Sequence, residues 1–169
     1  MSFKKLEIPV RVGFCKNCFK LRREGSAYCG MCKDEPERMK VFITNAPFPL
    51  KDKVKKEFDL TDKDLQNVIF TYGDTIYTAT GDISYGLIAH EITHVFQQTE
   101  IGKEEWWKKY LKDKEFRFKE ELQAYKNQHE CYKRNGVAEA EIDRIAEDLS
   151  GKNYGNVVSF EEAKKLITQ

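Results

Sequence analysis

Two hydrophobic periods alternate along this chain, and they place its elements. Val41-Phe42-Ile43-Thr44 is a short β-branched and aromatic run stopped by Asn45-Ala46-Pro47-Phe48-Pro49, the signature of a strand. Lys51 to Phe58 is charged, with Val54 and Phe58 four residues apart on one face, and predicts a helix. Asn67 to Tyr72 and Thr75 to Thr80 read as two strands, with Gly73-Asp74 as the hairpin turn between them. Gly81-Asp82 breaks the second strand and can cap a helix over 83–99, whose apolar stripe is Ile88, Ile92, Val95 and Phe96. Gly102 ends that helix. A long helical region follows over 104–134 with a break near Asp113, and Gly136 stops it. Two shorter helices are predicted over 137–149 and 160–168, the last opened by a Ser159/Glu162 capping box.

This order of short strands then helices predicts an α+β fold. The chain of 169 residues has room for one main domain and a small module. Four of its five cysteines fall before residue 33, and composition changes at the charged, proline-containing joint Asp34-Glu35-Pro36-Glu37. The expected division is therefore a small module over 1–36 and a main domain over 37–169. The hydrophobic fraction of 40 % with 34 % charged residues describes a folded domain. The net charge of +1 splits into +5 over residues 1–40 and −4 over the rest, so no global field selects nucleic acid or membrane. No run approaches the ~20 apolar residues of a bilayer span. Met1-Ser2-Phe3-Lys4-Lys5 is followed by too short an apolar stretch for a signal peptide. The expectation is a cytoplasmic protein without membrane contact, whose spaced cysteines bind metal before they form disulfides.

Cys15-Lys16-Asn17-Cys18 and Cys29-Gly30-Met31-Cys32 are two Cys-x-x-Cys pairs with ten residues between them. Each pair can wrap one side of a tetrahedral ion, and Gly25, Ser26 and Gly30 suit the tight turns. Four thiolates leave no open position, so this predicts a closed, structural Zn2+ site of zinc-ribbon appearance. Lys20, Arg22 and Arg23 between the pairs are solvated basic residues that could also touch nucleic acid or an acidic partner. Cys131, the odd cysteine, is expected to pack on a helix as a small hydrophobe.

The main candidate chemistry lies in His90-Glu91-Ile92-Thr93-His94. Two histidines four apart on a helix present both imidazoles to one face, within reach of a single ion. Zinc lowers the pKa of a bound water to about 7, and a neighbouring carboxylate can accept its proton. That assigns His90 and His94 as ligands and Glu91 as general base. Trp106, Trp107, Tyr110, Phe116 and Phe118 follow as an aromatic cluster, expected to form core between the metal-bearing helices.

His90-Glu91-Ile92-Thr93-His94-Val95-Phe96-Gln97-Gln98 resembles the active-site helix of zincin metallopeptidases, and the trailing glutamines resemble small bacterial, phage and mobile-element members. The metzincin pattern would need Gly at 97 and His at 100, where this chain has Gln97 and Glu100. The resemblance is to the gluzincins, which take a third ligand from the next helix, and it points to Glu121 within Glu120-Glu121-Leu122-Gln123-Ala124-Tyr125, with Ala124 letting the helices approach. Glu120, Glu100 and His129 remain alternatives. Where gluzincins often carry an aspartate that orients a ligand histidine, this chain has Tyr125. The resemblance implies a zincin-like domain, with its small sheet on the active-site helix, that hydrolyses peptide bonds in a protein or peptide substrate. It also implies a catalytic Zn2+ beside the structural one, and an oxyanion donor among Tyr125, His129, Tyr85 and Tyr154. It further implies that the strand over 75–80 is an edge strand to which an extended substrate adds, near Tyr77 or Thr78. Two other readings stand beside this one. The basic ribbon could make the protein a nucleic-acid- or partner-binding module with a non-catalytic zincin domain. It could also belong to a DNA-associated protease that acts on protein adducts, although in that family the ribbon usually follows the catalytic domain and the third ligand is His.

Overall fold

The computed structural model describes residues 41–80 and 83–169 and, within 1–40, only the backbone of three strands. The protein is mixed α+β and mostly helical. Strands β1 (Val12–Cys15), β2 (Lys20–Arg22) and β3 (Glu37–Met39) form an antiparallel sheet in the order β2-β1-β3. β3 starts at the charged joint, and Glu37 pairs with Phe14. Cys15 closes β1, but its side chain and all of Cys18, Cys29 and Cys32 lie outside the described residues, as does the Gly81-Asp82 cap.

The second sheet contains β4 (Phe42–Thr44), β5 (Phe70–Tyr72) and β6 (Thr75–Tyr77). β5 and β6 form the expected hairpin, and Gly73 at φ 61° supplies the turn conformation that L side chains resist. β4, however, pairs with β6 in parallel, so the strand order is β4-β6-β5. A parallel pair needs a long crossover, and the segment between the strands provides it through α1 (Lys51–Phe58) and the 3-10 turn Asp64–Gln66. This corrects the edge-strand expectation. β6 is central, bonded on both sides, and cannot accept an added substrate strand at Tyr77 or Thr78; Thr78 itself donates to the Thr44 carbonyl at 3.0 Å. Ile43, Ile76 and Thr71 form one buried cross-strand row. Phe48 stacks on Phe70 with ring centres 4.6 Å apart and meets Tyr77 edge-on at 5.5 Å.

By compactness the chain divides into Met1–Ser84 and Tyr85–Gln169. The second unit is helical: α2 (Tyr85–Ile101), α3 (Lys103–Lys112), α4 (Lys114–Arg134), α5 (Ala138–Ser150) and α6 (Phe160–Thr168). Gly102 at φ 84° separates α2 from α3. The break expected near Asp113 is real. Asp113 is extended, and its carboxylate accepts from the amides of Glu115 and Phe116 at 3.0 Å, so it caps α4 while its own amide closes α3 on Lys109. Arg117 reaches back to donate to the Tyr110 carbonyl at 2.6 Å, which satisfies the end of α3 and fixes the α3–α4 corner. Ser159 caps α6 by accepting from the Glu162 amide at 3.3 Å.

One apolar core joins α4, α5 and α6 through Tyr125, Tyr132, Ile142, Ile145, Leu149, Ala163 and Ile167. α2 packs along α4, and Ala89 and Ala124, both fully buried, leave the space for it. Across this pair Asn127 donates to Thr93 Oγ1 at 2.9 Å. The single apolar stripe expected for α2 is incomplete. Every residue from Ala89 to Gln98 is buried, the polar ones included, so this part of α2 is enclosed on all its faces and not along one stripe. Trp106, Trp107, Tyr110 and Phe116 do form an aromatic cluster, with Trp106 and Tyr110 stacked at 4.6 Å. Phe118 departs from it and packs instead against the α4–α6 core. No helix among the described residues is long and apolar enough to cross a membrane.

Candidate metal centre

Helical periodicity brings His90 and His94 to one face of α2, and their Nε2 atoms lie 3.1 Å apart. α4 delivers Glu121 to the same point. Its Oε2 is 3.2 Å from His90 Nε2 and its Oε1 3.4 Å from His94 Nε2. All three side chains are at least nine-tenths buried.

The hydrogen bonds around the histidines fix which ring nitrogen carries the proton. Gln97 Nε2 donates to the Glu120 carbonyl at 2.9 Å, so Gln97 Oε1 is the atom that faces His94 Nδ1, at 2.7 Å. Gln128 Nε2 donates to the Tyr132 hydroxyl at 2.9 Å, so Gln128 Oε1 faces His90 Nδ1 at 3.0 Å. An amide oxygen only accepts, so both Nδ1 atoms donate and both neutral rings are left with a lone pair on Nε2. Those lone pairs point at each other and at a carboxylate. Glu121 Oε1 accepts from the Tyr110 hydroxyl at 2.5 Å, whereas Oε2 is buried without a hydrogen-bond donor. Two imidazole nitrogens and a carboxylate with an orphaned buried oxygen repel unless a proton or a metal cation lies among them.

The spacing fits an ion. Four ligands at about 2.0–2.1 Å in a tetrahedron lie about 3.3 Å from one another. The separations of 3.1 Å between the two Nε2 atoms, 3.2 Å from His90 to Oε2 and 3.4 Å from His94 to Oε1 lie near that value. His90, His94 and Glu121 are thus a buried group that could hold a metal ion. The same field acts on protons. Burial alone would push the His94 imidazole down, yet the Glu121 carboxylate, helped by Glu91 and Gln97, raises it to about 9. Burial would raise the Glu121 carboxyl, but the His94 and His90 imidazoles hold it well below the usual carboxylate range.

Of the residues open as third ligand, Glu121 alone converges with the histidines. Glu120, one residue away, accepts from Trp106 Nε1 at 3.0 Å instead, and Glu100 is exposed at the end of α2. His129 is buried on α4 outside the group, and burial and Lys133 push its imidazole down. Glu91 is 4 % exposed, and its charge is felt at His94. Of the oxyanion candidates, Tyr125 sets its ring edge-on to His90 at 4.6 Å, and its hydroxyl lies 3.3 Å from that of Tyr154. Tyr85 is 81 % exposed. Cys131 is half-buried, and burial pushes its thiol up, as for an inert packing cysteine.

Sequence reasoning missed the groups that hold the ligands: Gln128, Tyr132, Tyr110 and the orienting role of Gln97. Only Gln97 carried a signal, its i, i+3 position relative to His94. The others sit on separate helices, and no spacing announces them. A mixed, mostly helical α+β chain with a buried two-histidine, one-glutamate group is the class that fold and site define. No family model, curated protein or solved structure matches the chain.

Proposed function

We propose that the protein is a zinc-dependent metallopeptidase of zincin, gluzincin-like type, with His90, His94 and Glu121 as ligands of the catalytic zinc and Glu91 as general base. One observation carries this reading: two imidazole Nε2 atoms and the Glu121 carboxylate, whose Oε2 is buried without a hydrogen-bond donor, converge at separations of 3.1 to 3.4 Å from two adjacent helices. The two nitrogens and one oxygen are a zinc donor set that leaves one position open, as catalytic zinc sites do. When bound, the ion supplies a Lewis acid that polarises a substrate carbonyl and lowers the pKa of water to about 7.

The chain's own residues do the rest. Gln97 and Gln128 orient the imidazoles, and Tyr110 holds Glu121 Oε1 while Oε2, without a hydrogen-bond donor, would be left for the ion. Glu91 accepts the proton of the attacking water and returns it to the leaving amine. Burial and the Glu121 charge hold the Tyr125 and Tyr154 phenols well above their ordinary value, so both remain protonated donors suited to a developing oxyanion. The substrate is a protein or peptide, and Cys15, Cys18, Cys29 and Cys32 hold a second, structural zinc.

Metal analysis and peptide cleavage test the proposal together. Wild type should carry two zinc ions per chain and cleave members of a broad peptide library. Glu91→Gln should keep both ions and lose activity by about 10²–10⁴-fold, while His94→Ala should lose one ion. Zinc-loaded wild type that cleaves no peptide, or His94→Ala that retains both ions, overturns the reading.

A further inference from the structure

His90 is held by a chain of contacts that runs out of the metal centre to the surface of α5. Its Nδ1 meets Gln128 Oε1 at 3.0 Å, Gln128 Nε2 donates to the Tyr132 hydroxyl at 2.9 Å, and Arg144 Nη2 donates to the same hydroxyl at 2.9 Å. Gln128 is fully buried and Tyr132 nearly so, whereas the Arg144 side chain is 48 % exposed and also paired with Glu141 at 2.7 Å. Gly86 completes the seat. A Cβ placed there would stand 2.2 Å from Tyr132 Cε1 and 2.8 Å from its hydroxyl, so the phenol lies directly against the first turn of α2 only because residue 86 has no side chain.

We propose that Gln128, seated by Tyr132, Arg144 and Gly86, is the positioning residue that decides which nitrogen of His90 is free to bind metal. The inference rests on the metal-centre reading of His90, His94 and Glu121. A primary amide has two faces of opposite sense. With Oε1 towards His90, the ring is protonated at Nδ1 and its Nε2 lone pair points into the centre. With the amide turned over, Nε2–H of Gln128 would face the ring, Nδ1 would have to accept, and the proton would move to His90 Nε2, which blocks the ligand position. The two states are related by turning over one buried amide, with the His90 proton and the Tyr132 hydroxyl following it, so whatever holds that amide selects the ligand atom. In the observed state Tyr132 accepts from Gln128, and its ring is fixed by the Gly86 surface and the Arg144 guanidinium. Tyr125 meets His90 only with its ring, edge-on at 4.6 Å, and Gln128, one turn further along α4, supplies the polar contact.

The test reads the His90 tautomer in the metal-free, full-length protein by long-range ¹H–¹⁵N correlation of the imidazoles, and site affinity by cobalt(II) titration, since thiolate and imidazole sites absorb differently. Wild type should show His90 protonated at Nδ1. Gln128→Met keeps the length but removes the acceptor, and should give mixed tautomers and an affinity about 10–100-fold weaker. Gln128→Glu accepts from Nδ1 and should restore both. Gly86→Ala, which removes no hydrogen-bonding group, should push the Tyr132 ring aside and reproduce part of the Gln128→Met effect. Folded Gln128→Met with wild-type tautomer and affinity overturns the inference, as does Gln128→Glu failing to rescue either readout. If the wild type binds no metal at His90 and His94, the metallopeptidase reading fails. The tautomer comparison still decides the role of Gln128.

Discussion

Glu120 and Glu121 are neighbours in sequence that face different partners. One helical step, about 100°, sends the first carboxylate to the Trp106 indole and the second to the two imidazoles. The consequence can be measured on His94. Burial lowers its affinity for a proton, and Glu121 is the largest influence raising it, to about 9. Glu121→Gln removes the charge and leaves burial with less opposition. In the metal-free variant the His94 pKa should therefore fall from about 9 to its ordinary 6.5 or lower, followed by NMR titration. A value still near 9 would mean that another anion sets the field. The histidine pair was legible in the sequence because i, i+4 geometry is local. The choice among Glu120, Glu121, Glu100 and His129 was not settled by local geometry, since all four are compatible with a helical pattern and only packing selects one.

Element boundaries follow from caps that can be read one residue at a time. Asp113 ends α3 and starts α4. Replacing Asp113 with Ala removes two backbone acceptor contacts at 3.0 Å and should cost about 1 kcal/mol, measured by urea unfolding, with zinc content unchanged. A loss well below 0.5 kcal/mol would show that Arg117 alone holds the corner. Asp113, Gly102, Gly136 and Ser159 were all visible beforehand because a cap acts on its own backbone. The partner of β4 was not. A parallel pair joins residues some thirty positions apart, as Phe42 with Thr75, and depends on the chain crossing back over the gap, so alternation gave no sign of it and the edge position that the family resemblance implied for β6 did not hold.

For the whole molecule, a metal held by His90, His94 and Glu121 would compete with the proton for one site. In the metal-free protein His94 has a raised pKa, so its pairing with Glu121 contributes stability fully below 6.5, and that contribution is lost as pH rises through about 9. Glu121 has a lowered pKa, so its contribution is present above 4.5 and fades as pH falls below that value. Metal must displace the His94 proton, and its apparent affinity should therefore rise about tenfold per pH unit until about pH 9. Melting temperatures with and without zinc should accordingly diverge between pH 6.5 and about 9. A gap that stays constant or narrows over that range would exclude a shared site.

The sequence by itself determined, to within a few residues, where α1, α2, α5, α6 and the β5–β6 hairpin lie, and that His90 and His94 share a face of α2. These are short-range properties, set by the period of the backbone and the chemistry of single caps. Tertiary structure alone decided that Glu121 completes the group, that Gln128 and Tyr132 stand behind His90, that Phe118 turns away from the other aromatics, and that β6 is central. Each of these depends on the rotation of one element against another. A helix turns a full face in fewer than four residues, so packing, not spacing, chooses which neighbour meets which.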